Sequence, residues 1–391
     1  MHIGLDCRTL LAHKTGDRTY ALNLVRGLAE LCSCGELPPD WTFHLLLDEE
    51  DAEGIVPRAS TFKTVVLPTP RGSGRLWTLW SLPRYAREAN LGLVHVQYLA
   101  PLSLPCPYLT TIHDVVWRAL PHTFPRRDRL VMRALMPTTV RHARRVITGT
   151  QAARRDIARF LPVAKRRVIV TPYAIDPVFS QPVQPEEVAR VRAKYGLADV
   201  PYLLSVGVLQ PRKNVPRLIE AFQEFQRRHP DAPHKLAIVG KHGWGDATLR
   251  LNSPGIVTTG YVPDEELPAL YAGAEVFCYP SLYEGFGLPV LEAMACGAPV
   301  LTSNVSCLPE VAGGAAHLVN PYSVTAIADG LEQLLGDLTL RDELRHKGQA
   351  RAAQFTPQRQ ARATCEVYQS VLRGSGGPGR GQFPLSSSRR A

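Results

Sequence analysis

Along the chain, short apolar runs rich in β-formers alternate with longer stretches of helical period. In the first half these runs fall at residues 2–5, 43–47, 64–67, 94–97, 108–112, 145–148 and 167–171. From 172 to 200 the rhythm stops: there are four prolines (Pro172, Pro177, Pro182, Pro185) and a short helical piece ending near Tyr195-Gly196. A second series follows at 202–206, 235–239, 256–259, 275–279, 299–302 and 316–319. Short strands alternating with helices predict parallel sheets covered on both faces. The interruption predicts two of them, so the expected fold is α/β, with two doubly wound, Rossmann-like domains in tandem. Ligands of such sheets bind beyond the carboxyl ends of the strands, which makes a cleft between the domains the expected site.

The length of 391 residues agrees with two domains. We place them at 1–178 and 179–355. A terminal helix follows over 356–373, opened by Thr356 as cap and Pro357 in the first turn. The tail 374–391 is rich in Gly, Ser and Pro without apolar period, and is expected to be disordered.

An apolar fraction of 45%, no apolar run of about eighteen residues and no basic-then-apolar N-terminus predict a soluble, non-exported, cytoplasmic protein. The eight cysteines are scattered, and Cys32-Ser33-Cys34 has no second pair to complete a zinc site, so they read as reduced thiols. The net charge of +10 implies attraction to an anion: a nucleotide, lipid headgroups or nucleic acid. No helix-turn-helix, finger or aromatic-bearing sheet accompanies that charge, so nucleic acid is not expected.

The most informative stretch is "SLYEGFGLPVLEAMACGAPVL", residues 281–301. Pro289 suits a first helical turn, so a helix is expected from Leu288 to about Ala295. Glu284 then lies in the loop and Glu292 about one turn into the helix. The helix start offers unpaired N–H groups and a partial positive charge, and Gly285 and Gly287 carry no side chain to block approach. Carboxylates beside an anion site are compatible if the ligand carries hydroxyls as well as phosphate, as a sugar nucleotide does. The plainer alternative is that the two glutamates only complement the helix dipole.

The longer segment "YPSLYEGFGLPVLEAMACGAPVLTSNVSCLPEV" resembles the E-x7-E region of retaining glycosyltransferases of family four, which have the two-domain GT-B fold. The resemblance implies that Glu284 approaches the donor sugar and Glu292 binds the ribose, with Gly285, Phe286, Gly287 and Leu288 around the donor. "LLSVGVLQPRKN" (203–214) resembles the family's G-R-x-x-x-x-K donor loop at Gly207 and Lys213. Val208 stands where the family has arginine, and Arg212 would supply that charge, as in a subgroup whose loop also reads P-R-K-N. Two cations at a strand's end can neutralise a departing nucleoside diphosphate, although a solvated basic loop is the ordinary reading of such residues.

In "LTTIHDVVWRALPHTFP" (109–125), His113-Asp114 resembles the family's H-D, which implies that His113 contacts the transferred sugar or its attacking hydroxyl, with Asp114 orienting it. "GLDCRTLLAHKTGDRTYALNLVRGL" (4–28) resembles the family's opening strand, loop and helix. There Gly16, with Asp17, Arg18 and Tyr20, would face the cleft near the acceptor and phosphates. Tyr173-Ala174 stands where the family usually has Asn-Gly, and "VGKHGWG" (239–245) would lie near the nucleotide base. The resemblance spans roughly residues 1 to 372, with the terminal helix crossing back onto the first domain.

The expected activity is therefore a retaining, metal-independent hexosyltransferase without a cofactor. No Asp-x-Asp motif is present to hold a divalent ion. The P-R-K-N subgroup resembles mannosyltransferases of O-antigen and exopolysaccharide assembly, which implies GDP-mannose as donor, or a UDP-hexose, and a saccharide or lipid-linked acceptor. The alternatives are a nucleotide-sugar epimerase or phosphorylase of the same architecture, or a non-catalytic carbohydrate-binding scaffold. Arginines crowd residues 126–167 among apolar positions. They form either a solvated face or a peripheral contact with anionic lipid at the inner face of the membrane.

Overall fold

All thirteen apolar runs are strands in a computed structural model of the chain, which describes residues 1–12, 15–72, 74–198, 200–241, 243, 251 and 253–373. The first sheet holds β1 (His2–Asp6), β2 (Thr42–Leu47), β3 (Phe62–Val66), β4 (Leu93–Gln97), β5 (Tyr108–Thr111), β6 (Arg145–Thr148) and β7 (Val168–Val170). The second holds β8 (Tyr202–Val206), β9 (Lys235–Val239), β10 (Ile256–Gly260), β11 (Val276–Tyr279), β12 (Val300–Ser303) and β13 (His317–Val319). Their orders are β3-β2-β1-β4-β5-β6-β7 and β10-β9-β8-β11-β12-β13, and every pairing is parallel. Helices cover both faces of a parallel sheet, which is why inner strands such as Val276–Tyr279 and Val300–Ser303 are buried at every position and show no alternation of apolar and polar residues.

The chain reverses its direction across each sheet once, between β1 and β4 in the first and between β8 and β11 in the second. Loops leaving those strands meet at the switch point, the place where ligands of such sheets bind. The Gly207–Asn214 loop follows β8 and the Glu284 loop follows β11, while the loops after β1, β4 and β5 carry Gly16, Tyr98 and His113. The fold thus turns five distant segments into two facing walls.

The helix Pro357–Arg373 returns to the first domain and lies against the helix Gly16–Ser33. Their contact is close enough that a Cβ on Gly27 would overlap the Pro357 carbonyl. The buried Gln360 amide fixes it, accepting from Ala174 N at 2.8 Å and donating to Tyr20 O at 2.9 Å. Tyr368 OH meets His95 Nδ1 at 2.7 Å inside the core. The 374–391 tail and part of the 239–245 segment (His242, Trp244, Gly245) lie outside the described residues. Among the described residues no helix is long and apolar enough to cross a membrane.

Candidate functional site

The loop after β8 turns sharply because Gly207 has φ +150° and Asn214 sits in the left-handed region at φ +62°. Asn214 tolerates that conformation and is pinned there, donating to the carbonyls of Pro280 (3.0 Å) and Pro321 (2.7 Å). The Pro211–Lys213 turn is thereby held against the β11 loop, with Leu282 N donating to Arg212 O at 2.8 Å. Two loops that are seventy residues apart in sequence meet as one surface.

At the centre is the Glu284 carboxylate, which is 7% exposed. It pairs with Arg212 at 2.5 Å and Lys213 at 2.8 Å, and accepts from Tyr279 OH at 3.0 Å. Lys213 Nζ also donates to Tyr279 OH and stacks over its ring, 4.6 Å from the centroid. Burial would raise the Glu284 carboxyl, but Arg212 and Lys213 outweigh it and hold it at about 2. Burial and the neighbouring Arg212 push the Lys213 ammonium down to about 8, against the pull of Glu284. Burial also opposes the charge on Arg212; Glu284 and Asp114 overcome that and keep the guanidinium above its ordinary value. Within this wall two cations share one carboxylate, Glu284, and Asp114 acts on both from the first domain.

The helix Leu288–Ala295 begins after Gly287, whose φ of +95° requires glycine in that turn. Glu292 is buried one turn in and accepts from Tyr271 OH at 3.1 Å. Gly285 has a reason for its missing side chain besides the one expected. The first domain crowds it: a Cβ there would overlap the His113 carbonyl. Phe286 likewise packs between domains, on Tyr173 at 4.8 Å and Phe355 at 5.8 Å between ring centroids. Leu288, at the helix start, is buried.

The opposite wall is centred on His113, which is 8% exposed. Its Nε2 meets Gln97 Oε1 at 2.9 Å and its Nδ1 meets Tyr173 OH at 2.9 Å. Gln97 turns its amide nitrogen to Thr9 Oγ1, so its oxygen faces the imidazole and the proton sits on Nε2. Burial lowers the His113 pKa and keeps the ring neutral, although Asp17 and Asp114 pull the other way. Asp17, half-exposed at the first turn after Gly16, lies 3.6 Å from Nε2. Among the described residues no neighbour crowds Gly16 itself.

The expected role of Asp114 is corrected here. Its Oδ1 accepts from Val116 N at 3.0 Å, closing the turn after β5, so Gln97 and Tyr173 orient His113 instead. Burial raises the Asp114 carboxyl, and Arg212 across the cleft lowers it. Tyr98, with φ +56°, sets its ring 5.4 Å from the imidazole. A tyrosine in that conformation is an outlier of the kind that collects at functional sites.

The fold brings His113, Asp114, Arg212, Lys213, Glu284 and Gly285 into one constellation, with Gly16 and Gly207 at its rims and Glu292 behind. Sequence reading missed Gln97, Tyr98, Tyr279 and the part played by Tyr173. Gln97 and Tyr279 end strands at the two switch points, and that position was the available signal.

Two family models match the chain: "Glycosyltransferase Family 4" over residues 16–179 and "Glycosyl transferases group 1" over residues 188–351. O-antigen chain mannosyltransferase B of Escherichia coli is 37% identical over 270 residues, 66% of this chain and 69% of that protein. The serotype-specific mannosyltransferase WbdA of Escherichia coli is 32% identical over 252 residues, 62% of this chain but only 30% of that longer protein. The GDP-mannose-dependent alpha-(1-6)-phosphatidylinositol monomannoside mannosyltransferase of Mycolicibacterium smegmatis is 31% identical over 324 residues, 76% of this chain and 80% of that one. Among solved structures, sucrose-phosphate synthase from Thermosynechococcus elongatus superposes with a TM-score of 0.72 at 21% identity, covering 95% of this chain and 99% of the other. With both sheets and both family models accounted for, this chain belongs to family four of the glycosyltransferases and is a glycosyltransferase of the GT-B fold.

Proposed function

We propose that the protein transfers mannose from GDP-mannose to a saccharide or lipid-linked acceptor, with retention at the anomeric carbon and without a metal or cofactor. The observation that carries this reading is the buried Arg212–Glu284–Lys213 cluster facing His113 across the cleft. The printed names of the relatives, mannosyltransferases and one GDP-mannose-dependent enzyme, support the choice of donor.

Glu284 neutralises part of the charge of Arg212 and Lys213. A diphosphate carries more negative charge than one carboxylate, so on binding it takes over those cations. The freed Glu284 oxygens then accept hydrogen bonds from donor-sugar hydroxyls, and Glu292 accepts from the ribose. This exchange is the chemical reason for placing acids beside an anion site. As the C1–oxygen bond to phosphate breaks, charge grows on the leaving diphosphate, and cations fixed in a dry site stabilise it without reorganising.

The acceptor hydroxyl attacks C1 from the face the diphosphate leaves, and its proton passes to the departing phosphate oxygen. Both ring nitrogens of neutral His113 are engaged, by Gln97 and Tyr173, so a sugar hydroxyl reaches the ring by displacing Gln97 Oε1 from Nε2–H, on the side that faces Asp17. The helix Arg126–His142 exposes Leu130 and Leu135 among its arginines, which supports peripheral contact with anionic headgroups when the acceptor is lipid-linked.

The test is a panel of nucleotide sugars, first by thermal shift and then by turnover in the presence of EDTA, with the product anomer read by NMR. GDP-mannose should raise the melting temperature and give an α-linked product with the chelator present. A UDP-hexose preference, an inverted product or a strict metal requirement would each overturn the corresponding part of the proposal.

A further inference from the structure

The helix Gln151–Phe160 of the first domain begins at the cleft and needs partners for its first amides. Thr150 supplies one within its own domain, its Oγ1 accepting from Ala153 N at 3.1 Å. The other two are satisfied from across the cleft. The carboxylate of Glu310, on the second domain's Leu308–Ala312 turn, accepts from Gln151 N at 2.7 Å and Ala152 N at 3.0 Å. Glu310 is held from behind, since Arg351 donates to the carbonyls of Glu310 (2.9 Å) and Val311 (3.0 Å).

The same helix start reaches the catalytic turn. Thr150 Oγ1 donates to Gly285 O at 3.0 Å, and one turn on, Tyr283 OH donates to Asp156 at 2.9 Å. Both contacts flank Glu284. One helix end therefore registers the Glu284 loop against the wall that carries His113, and its charge complement is a carboxylate of the other domain. A carboxylate at a helix N-terminus is favoured by the helix dipole and makes charge-assisted hydrogen bonds. When the domains part, those two amides and the carboxylate return to water.

We propose that Glu310 is a positioning residue: by capping the Gln151–Phe160 helix across the cleft it latches the domains in the geometry that brings Glu284 and Gly285 against His113. It touches no substrate in this role. Its effect on turnover passes through the placement of the Gly285 turn, where a shift on the order of 1 Å is enough to cost about 10²-fold. The activity readout rests on the sugar-transfer reading given above; the contact itself does not.

The experiment pairs two substitutions on the full chain. Glu310→Ala removes the carboxylate. Gln151→Pro removes the matching N–H while leaving the helix intact, because proline is tolerated at the first helical position and Thr150 is already extended (φ −139°, ψ 158°), as a residue before proline must be. Each single variant should lower kcat/KM about 10-fold or more, raise donor hydrolysis relative to transfer, and leave the melting temperature close to that of the unsubstituted protein. Adding Gln151→Pro to Glu310→Ala should cost little further, and Glu310→Gln, which keeps one acceptor oxygen, should recover part of the loss.

Amide hydrogen exchange read without substrate should show faster exchange at Ala152 in Glu310→Ala. Strictly additive losses, or unchanged exchange at Ala152, would overturn the latch. If exchange responds as expected while no nucleotide sugar is turned over by the unsubstituted protein, the latch stands and the transfer reading fails.

Discussion

The two walls of the cleft are built differently. On the second domain, the charged groups Arg212, Lys213 and Glu284 come from two short loops at one switch point, and each motif is continuous in sequence. On the first domain, the surroundings of His113 are gathered from separate segments: Gln97 from the end of β4, Tyr173 from beyond β7, Asp17 from the first helix and Tyr98 from a left-handed turn. The first arrangement concentrates charge where the proposed reaction would hold a diphosphate. The second surrounds a neutral imidazole with hydrogen-bonding and aromatic groups, which suits hydroxyl-bearing sugars. A charged ligand needs a few strong fixed groups, whereas a polyol is sorted by many weaker ones.

The largest effect should come from breaking the charged wall. Glu284→Ala leaves Arg212 and Lys213 buried side by side and removes the proposed sugar contact. Turnover should fall about 10²–10³-fold, and losing one member of a buried charge cluster should cost about 3–5 kcal/mol of stability. Single-turnover kinetics and thermal unfolding separate the two losses. Normal turnover in a folded variant would remove Glu284 from the mechanism.

Gly285→Ala tests the seam between the walls. Its Cβ would meet the backbone carbonyl of His113, which has no rotamer to escape into, so the domains must separate. A loss on the order of 10²-fold in kcat/KM is expected, with a larger radius of gyration in solution scattering. Wild-type activity would mean that catalysis does not need the closed contact.

The pH profile tells the walls apart without mutation. With Lys213 at about 8, the free enzyme loses one of its two cations as pH rises through that value, so kcat/KM should fall about tenfold per unit above it. Lys213→Arg should abolish that limb, since arginine stays charged. Neutral His113 contributes no loss over the same range. In the acid direction the sign reverses: the depressed Glu284 carboxyl stabilises the fold above the ordinary glutamate range, and that contribution is lost as pH falls from about 4.5 toward about 2. A kcat/KM that stays flat to pH 9.5 would contradict the role given to Lys213.

Tyr173→Phe should have the smallest effect. It deletes one of the two hydrogen bonds that orient His113 and keeps the ring against Phe286, so a cost of about 1 kcal/mol is expected. It should appear as a several-fold fall in kcat with little change in donor affinity. An equal loss in donor affinity would assign Tyr173 to the donor side.

The order and type of the strands, the helix at Leu288–Ala295 and the terminal helix at Pro357–Arg373 were all readable from the chain. Each depends on local rules: apolar runs for doubly covered strands, proline in a first turn, glycine where φ is positive. The charged half of the site was readable for the same reason, since its residues are neighbours in two loops. What could not be read is which groups meet. The resemblance to the family's H-D offered Asp114 as the partner of His113, but adjacent residues at a strand's end point different ways, and the pairing fell to Gln97 and Tyr173. Gly285 was identified as a place of close approach, yet only the packed domains decide that the approaching group is the His113 carbonyl. Glu310 carries no local signal of contact, because its partners are backbone amides in the other domain. Backbone conformation is set largely by a residue's near neighbours in the chain, and the apolar pattern marks which positions must be covered, whereas contacts across the cleft depend on how two rigid sheets come to rest against each other.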